Sequence, residues 1–228
     1  MLGSIRRTGL LGMELANLRG ERVEASPNIS GATCPQCNSS VISKCGEIKV
    51  WHFAHVSQQD CDSWTKPETI WHRRWKLRFP KDCREVIIGD HRADIKSRGM
   101  VIEVQNSPIS PEEIREREHH YGEMIWIING AEFYDRFELN EKEWGYTFRW
   151  KMARKSWLSA SRPIYIHFLR AWDDDIGEFF FKESLFRVSK ISIDGGRCFG
   201  YGKFVEIPRF VERYGGTYQH FYENTLDI

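Results

Sequence analysis

The sequence predicts a mixed α/β (α+β) fold, in which a central mixed sheet is flanked by helices and a small β module precedes it. Three observations lead to this prediction. Residues 64–130 alternate between helical and strand patterns, in the order helix, three strands, helix, strand. Residues 1–63 hold short apolar runs among Gly, Ser and Cys, which is typical of small hairpins. Residues 131–228 are rich in aromatic residues, with turns expected at Gly195-Gly196 and Gly215-Gly216.

The composition limits the class of protein. The chain has 228 residues, of which 41% are hydrophobic and 14% aromatic, so it can build a core and is not a disordered chain. The net charge of +1 excludes a strong overall positive field, so any nucleic-acid surface must come from local clustering. The sequence has no apolar run of about 18 residues and no signal-peptide pattern. We therefore expect no membrane span and a cytoplasmic location.

Helix and strand signals define the elements of residues 64–130. Thr65-Lys66-Pro67-Glu68 combines a cap, a first-turn Pro and a Glu, which predicts a helix that runs to about Phe79. Ser110-Pro111-Glu112-Glu113 repeats the signal and predicts a second helix over about 111–122. The apolar run before Gly130 is expected to be a buried strand, parallel to an earlier one. Strands are expected over Arg84–Ile88, His91–Lys96, Met100–Gln105 and Met124–Asn129.

Two acids lie within apolar strand segments. Glu103 and Gln105 share one face of their strand, and a short turn pairs this strand with the one that carries Asp94, so the two acids are expected to converge. Mg²⁺ and Mn²⁺ take carboxylate ligands, and such a site can activate water and neutralise charge on a phosphate. A structural alternative is that Asp94 pairs with Arg92 or Lys96 and that Glu103 lies on an exposed face.

The order Asp, then Glu-x-Gln after a turn, resembles the nuclease core written PD-(D/E)xK, and so does the order of the elements. Two features depart from that pattern: no Pro precedes Asp94, and Gln105 occupies the place of the Lys. The resemblance implies a restriction-endonuclease-like core. In such a core Asp94 and Glu103 hold Mg²⁺ or Mn²⁺, and Gln105 positions the attacking water.

A line of polar residues follows one side of the first predicted helix. Glu68, His72 and Lys76 are spaced i, i+4, i+8 and would share a helical face. By the same resemblance Glu68 is a further ligand, while His72 and Lys76 stabilise the phosphate or transfer protons. The alternative is a capping acid followed by a solvated face. The basic residues expected to grip a nucleic-acid backbone are Arg73, Arg74, Lys76, Arg78, Lys81 and Arg84.

Cysteine and histidine residues are concentrated before residue 64. Cys-Pro-Gln-Cys can present two thiolates to one ion, and a structural Zn²⁺ site needs four N or S ligands. We expect zinc on Cys34, Cys37, His55 and Cys61. His52 is the alternate to His55, since the two face opposite ways along a strand, and Cys45 is a weaker candidate. The alternative is a redox CxxC pair, which would leave the histidines and Cys61 unexplained.

Taken together, these motifs resemble the competence protein CoiA family of nuclease-like proteins. The motifs are CPQC, HFAH, Cys61, ETIWHRRWK, HRADI and IEVQNSPIS, and they span about residues 20–130. Ser107, Arg115 and Tyr121 also resemble family positions, with Arg115 expected to contact a phosphate or brace the acids. The resemblance implies a zinc-bearing module joined to a metal-dependent nuclease core that acts in DNA uptake or recombination.

The sequence thus predicts a Mg²⁺- or Mn²⁺-dependent nuclease whose partner is nucleic acid, with DNA favoured over RNA. One alternative is a nucleic-acid-binding protein that keeps the fold without catalysis; another is an effector in defence against foreign DNA. In the C-terminal part, Phe148–Trp157 mixes basic and aromatic residues, as nucleic-acid surfaces do. We favour an amphipathic helix there, with Trp150 and Trp157 in the core.

Overall fold

A computed structural model of the chain describes residues 12–47, 50–57, 61–64, 68–173 and 179–219. The structure is mixed α+β, with a large mixed sheet and few helices. It divides into two compact units. Among the described residues, the first unit consists of those up to Arg73 together with Glu85–Ala93, and the second of Arg74–Arg84 and those from Asp94 onward.

The helices of the described residues are α1 (Ile70–Leu77), α2 (Pro111–Tyr121) and α3 (Ile207–Arg213). The first four strands are β1 (Leu15–Leu18), β2 (Glu21–Glu24), β3 (Val41–Lys44) and β4 (His52–His55). The later strands are β5 (Arg84–Ile88), β6 (His91–Ser97), β7 (Met100–Gln105), β8 (Met124–Asn129), β9 (Phe137–Lys142), β10 (Gly145–Trp150), β11 (Ile164–Asp173), β12 (Phe179–Asp194) and β13 (Arg197–Val205). None of the helices in the described ranges has both the length and the apolar character needed to cross a bilayer.

Two antiparallel hairpins, β1–β2 and β3–β4, form the part of the first unit that precedes α1. Arg19 and Gly20 join β1 to β2 with φ of 52° and 87°, as a two-residue turn between twisted strands requires. The hydrophobic core here is small and centres on Met13, Val41 and Phe53. A region with so little apolar area needs a cross-link or a metal to stay folded.

The sheet of the second unit runs in the order β6-β7-β8-β11-β12-β13-β10-β9. Strands β7, β8 and β11 are parallel neighbours, and the predicted parallel pairing of Met124–Asn129 is confirmed. Helix α2 makes the crossover between β7 and β8 that parallel strands require. It begins as the sequence predicts: Ser110 Oγ accepts the Glu113 N–H at 3.1 Å, and Pro111 is the first helical residue.

The segment Phe148–Trp157 does not form the expected amphipathic helix. Phe148 and Trp150 belong to β10, and a short 3₁₀ turn follows at Lys155–Ser159. Tyr146, Phe148 and Trp150 alternate with polar residues, and this period of two favours a strand. The core positions expected for Trp150 and Trp157 are confirmed, since both are buried.

Candidate functional site

Three cysteines and one histidine of the first unit come together beside the β3–β4 hairpin. Cys34 Sγ lies 3.7 Å from Cys61 Sγ, and Cys37 Sγ lies 3.3 Å from His55 Nε2. His55 Nε2 lies 3.6 Å from Cys61 Sγ, and the four atoms lie within 4.8 Å of one another. Tetrahedral zinc with Zn–S near 2.3 Å separates its ligands by about 3.6–3.8 Å. The cluster therefore has the donor set and the size to hold a zinc ion.

Hydrogen bonds hold the cysteines of this cluster in place. Cys34 donates its N–H to Ser39 O at 2.9 Å and accepts the Asn38 N–H at 3.0 Å, which closes the turn around Cys37. The Gln36 side-chain amide donates to Cys61 O at 3.0 Å. Hydrogen bonds of the turn from Cys34 to Ser39 thus position both Cys34 and Cys61.

The thiols of the cluster have displaced pKa values. Burial, aided by the nearby charges of Cys34 and Cys37, raises the pKa of Cys61 to about 12. Burial also raises the pKa of Cys37, but hydrogen bonds from Ser39 and His55 outweigh it and bring this pKa to about 6. Several thiolates packed this closely repel one another, and a bound cation would remove that cost.

The structure separates the two histidine candidates. His55 reaches the cluster, whereas His52 lies outside it, with Nδ1 2.8 Å from Val50 O. The two are three residues apart on β4 and so face opposite sides. Cys45 also lies outside the cluster, with Sγ 3.1 Å from Ser43 Oγ. A redox role for Cys34 and Cys37 alone leaves unexplained why His55 and Cys61 complete the group.

Asp94 and Glu103 lie side by side in the second unit. The Asp94 N–H donates to Glu103 Oε1 at 3.2 Å, and the Val104 N–H donates to Asp94 Oδ2 at 2.8 Å. The turn between β6 and β7 makes this possible: Arg98 and Gly99 have φ of 49° and 78°, so β7 folds straight back along β6. Glu103 is buried, with 2% of its surface exposed, and does not lie on a solvated face. Asp94 is half-buried.

Arg117 of α2 is the cation that accompanies the buried Glu103. Its NH1 donates to Glu103 Oε2 at 2.5 Å, and its NH2 donates to Glu113 Oε1 at 2.6 Å. Burial and the charge of Asp94 raise the pKa of Glu103 to about 7, although Arg117 acts in the opposite direction. Two adjacent carboxyl groups that disfavour simultaneous ionisation are typical of catalytic sites.

The expected bracing of the acids by Arg115 is wrong, while its expected contact with a phosphate stays a prediction. Arg115 is largely exposed and pairs with Glu112 one turn away. The sequence did contain a signal for Arg117: it follows Ile114 by three residues, so it shares the buried face of α2 with that core residue. The many charged residues of PEEIREREHHY obscure this signal. The helical period shows which residues share a face, but it shows which face is buried only when one buried residue is known.

Gln105 is held by its neighbour Ser107. Its Nε2 donates to Ser107 O at 2.7 Å and lies 3.2 Å from Ser107 Oγ. Gln105 is 4% exposed, and it lies two residues beyond Glu103 on the same side of β7. Both bonds engage the amide nitrogen, and no hydrogen bond from the described residues reaches the carbonyl oxygen Oε1, which can accept one from a water or a substrate hydroxyl.

The expectation that Glu68, His72 and Lys76 lie on one helical face is wrong for Glu68, because α1 begins after it. The helix begins at Ile70, and Thr69 precedes it with Oγ1 3.3 Å from the His72 N–H, as an N-cap does. Glu68 therefore lies before the helix. His72 Nδ1 contacts Thr69 Oγ1 at 2.9 Å, and Lys76 is buried at 3% exposure, so this line is not a solvated face. The cap expected at Thr65 lies outside the described residues.

Glu68 lies close to two other acids of the first unit. Its carboxylate groups with those of Glu14 and Glu85, with oxygens within 4.8 Å of one another. Glu85 accepts the backbone N–H groups of Glu14 and Leu15 at 2.9 and 3.0 Å. Arg73 NH1 lies 3.3 Å from Glu14. This group therefore combines acids with a cation and with the backbone N–H groups of Glu14 and Leu15.

The basic residues between Arg73 and Arg84 do not form the exposed patch that was expected to bind a nucleic-acid backbone. Arg84 is buried, and Arg78 NH2 pairs with the buried Glu183 at 2.7 Å. Glu183 Oε2 also lies 3.1 Å from His167 Nε2, and Tyr218 OH donates to Oε1 at 2.7 Å. The sequence alone would place Arg78 on the surface, but it pairs with a buried acid that lies far away in the chain. The spacing of basic residues along a helix does not show which of them contact such acids.

Comparisons with known protein families agree with this arrangement. The family model described as competence protein CoiA, N-terminal domain, matches residues 22–63. The model described as competence protein CoiA, nuclease-like domain, matches residues 89–189. Searches of curated proteins and of solved structures found no match. The two matched regions together span more than half of the chain and hold the Cys/His cluster and the Asp94–Glu103 pair respectively, so the chain belongs to the CoiA-like family of competence proteins and carries a nuclease-like domain.

Proposed function

We propose that the chain is a metal-dependent nuclease that cleaves DNA phosphodiester bonds with a PD-(D/E)xK-type core. The observation that supports this most is the pairing of Asp94 and Glu103 on adjacent strands, where the pKa of Glu103 rises to about 7. The nuclease-like family match over residues 89–189 supports the same reaction class. We infer a role in DNA uptake or recombination, or in defence against foreign DNA.

The carboxylates fit a hard divalent cation such as Mg²⁺ or Mn²⁺. Asp94 and Glu103 repel each other, and a cation between them would offset that repulsion. Asp94 is half-buried, and Oδ1 accepts no hydrogen bond within the described part of the chain. Ions of this type bind through one or two carboxylates and keep several waters. A bound ion would lower the pKa of its water and neutralise charge on the phosphate.

The remaining roles follow from the residues around this pair. Gln105 Oε1 accepts a hydrogen bond from the attacking water and orients the water oxygen toward phosphorus, because Ser107 holds the amide nitrogen. The water oxygen bonds to phosphorus and loses one proton to solvent as the bond to the leaving ester oxygen breaks, and that oxygen takes one proton from solvent. Lys76 supplies the positive charge that Gln105 lacks. Arg117 holds Glu103 in position, and it is a positioning residue.

We assign a structural role to the Cys34, Cys37, His55 and Cys61 cluster. A zinc ion there would join the cysteine turn to the β3–β4 hairpin and stabilise a region with a small core. We retain the functional division that the sequence predicts. Residues 1–63 serve as the zinc module, 64–130 as the nuclease core and 131–228 as its extension.

A binding protein without catalysis is the second candidate function. Two features favour it: Gln105 replaces the usual Lys, and Arg117 already neutralises one oxygen of Glu103. Such a protein would bind nucleic acid through the same fold and leave it uncut. The two candidates differ in one observable, which is cleavage that depends on Asp94 and Glu103.

The test is cleavage of labelled single- and double-stranded DNA and RNA with and without Mg²⁺ or Mn²⁺. We expect metal-dependent cleavage of DNA that disappears in Asp94→Ala and Glu103→Ala, while the exposed Asp194→Ala cuts normally. Equal cleavage by all three variants would place the active site elsewhere. Binding without cleavage by the zinc-loaded parent would favour the second candidate.

Lys76 provides an internal check on this reaction. Removing one electrostatic stabiliser lowers turnover by about 10²-fold or more, and we expect that loss in Lys76→Ala. Gln105→Lys should partly restore activity in the same chain, because it returns a cation to the family's usual position. The exposed Lys155→Ala serves as control. Full activity of Lys76→Ala would remove this residue from the mechanism.

A further inference from the structure

One face of the second unit's sheet exposes aromatic and basic side chains together. We define the aromatic–basic face by Phe199, Tyr201 and Lys203 of β13, Arg187 and Lys190 of β12, and Trp144 in the β9–β10 turn. The strand register makes them neighbours, since Tyr201 lies opposite Lys190 and Lys203 opposite Arg187. Their side chains therefore form one continuous surface on adjacent strands.

The alternation of β13 explains why these rings face outward. Cys198 and Gly202 are buried, and a Cβ at Gly202 would come within 2.7 Å of the Phe186 ring. The inner side of β13 is thus filled by core rings that need glycine beside them. Phe199 and Tyr201 take the opposite side and keep 44% and 41% of their surface exposed.

Trp144 extends this exposed aromatic surface beyond the strand. It is 62% exposed and meets Tyr201 edge-to-face, with ring centroids 5.7 Å apart. Large rings on a protein surface that no core element covers mark a binding surface. Two perpendicular rings offer one face and one edge to a planar ligand.

The charge along the groove beside Trp144 and Tyr201 has one sign, whereas Glu138 lies near Phe199 at the other end of the face. Arg162, Arg187, Lys190 and Lys203 line the groove along Trp144 and Tyr201, and no carboxylate lines it within the described ranges. Arg162 pairs with Glu123 outside the groove lining, whereas Arg187, Lys190 and Lys203 are exposed. The chain as a whole carries a net charge of only +1, so this concentration of positive charge is local. A polyanion is the complementary partner.

We propose that the aromatic–basic face binds single-stranded nucleic acid. Bases with exposed faces stack on aromatic side chains, and the backbone phosphates pair with Lys and Arg beside them. Bases in a duplex are already stacked on each other, so they cannot use these rings. The proposal goes beyond the proposed nuclease function, because binding here needs neither Asp94 nor Glu103.

The test measures the anisotropy of a fluorescein-labelled oligothymidylate titrated with the full zinc-loaded chain. The buffer contains neither added divalent ion nor chelator, and a gel checks that the oligonucleotide stays intact. Removing one stacking ring weakens binding roughly 5- to 100-fold, which we expect for Tyr201→Ala. Tyr201→Phe keeps the ring and should bind like the parent.

The salt dependence separates stacking from phosphate binding. For a single strand, each phosphate that a Lys or Arg neutralises adds about 0.7 to the steepness of log K against log salt. Lys190→Ala and Lys203→Ala should each make the slope shallower by about that amount, while Tyr201→Ala leaves the slope unchanged. Lys155→Ala, an exposed lysine off this face, is the control.

Three results would overturn the proposal: a Tyr201→Ala chain that binds like the parent, a duplex bound as tightly as the single strand, or a folded parent that binds no oligonucleotide. None of them bears on cleavage, which the Asp94 and Glu103 variants test separately.

Discussion

At the residue scale, local strand geometry brings Asp94 to Glu103, whereas the packing of α2 brings Arg117 to the same carboxyl group. The period of two along β7 and the short turn at Arg98-Gly99 are local, and both are readable from the sequence. Arg117 comes from a helix, and its contact with Glu103 depends on how α2 packs over the sheet. The packing of α2 on the sheet therefore decides that Arg117, and not Arg115, contacts Glu103. The local sequence pattern does not report this packing.

Replacing Arg117 tests this assignment. Arg117→Ala leaves a buried carboxyl group without its cation, and such a change costs about 3–5 kcal/mol in the free energy of unfolding. Arg115→Ala removes an exposed pair and should change it by less than about 0.5 kcal/mol. Urea denaturation monitored by Trp fluorescence measures both. Equal losses for the two variants would contradict the assignment.

Glu183 gives a second prediction, on acid stability. Burial opposes its ionisation, but hydrogen bonds and charge from His167, Arg78 and Tyr218 lower its pKa from 4.5 to about 2. As pH falls, the unfolded chain takes up this proton near pH 4.5 and the folded chain only near pH 2. The stability it contributes is therefore complete above pH 4.5 and lost toward pH 2.

The Glu183→Gln variant should reveal that contribution. Its deficit in unfolding free energy relative to the parent should reach about 2 kcal/mol above pH 4.5, allowing for solvent screening, and should shrink toward pH 2. Glu206→Gln alters an exposed pair and should show no such trend. A deficit that is constant with pH would mean that Glu183 acts through packing alone.

At the scale of elements, the sequence predicted strands more reliably than the start of the first helix. The alternation of β7 and the continuous apolar run of β8 each favour a single assignment, and their bounds agree with the prediction. Thr65 and Thr69 both precede helix-compatible residues, and Thr69 is the one that caps the observed start of α1. Propensity alone does not choose between two possible caps that lie four residues apart.

The β3–β4 hairpin carries the prediction for zinc. The parent should contain about one zinc per chain, and His55→Ala or Cys37→Ser should lose it and melt at a lower temperature, because metal binding and folding are coupled. His52→Ala and Cys45→Ser are matched controls that should retain zinc. Elemental analysis and thermal denaturation measure both effects. The ligand set would be refuted by a folded parent that contains no zinc, or by loss of zinc from His52→Ala or Cys45→Ser.

At the scale of the whole molecule, the sequence indicated a mixed sheet but not its order. Strand β11 pairs with β8 across a long separation, and β10 pairs with β13. Such pairings depend on which distant faces bury each other, and no local pattern reports them. The aromatic–basic face arises from this order, since it needs β12 and β13 side by side.

The proposed metal centre can be tested without knowing the substrate, by electron paramagnetic resonance of Mn²⁺ added to the zinc-loaded chain. The account predicts about one bound Mn²⁺ per chain in the parent and in the exposed-acid control Asp194→Asn, and weak or no binding in Asp94→Asn. Zinc content measured in the same samples shows that each variant retains its N-terminal cluster. Mn²⁺ binding that is unchanged in Asp94→Asn, or absent from the parent, would contradict the account.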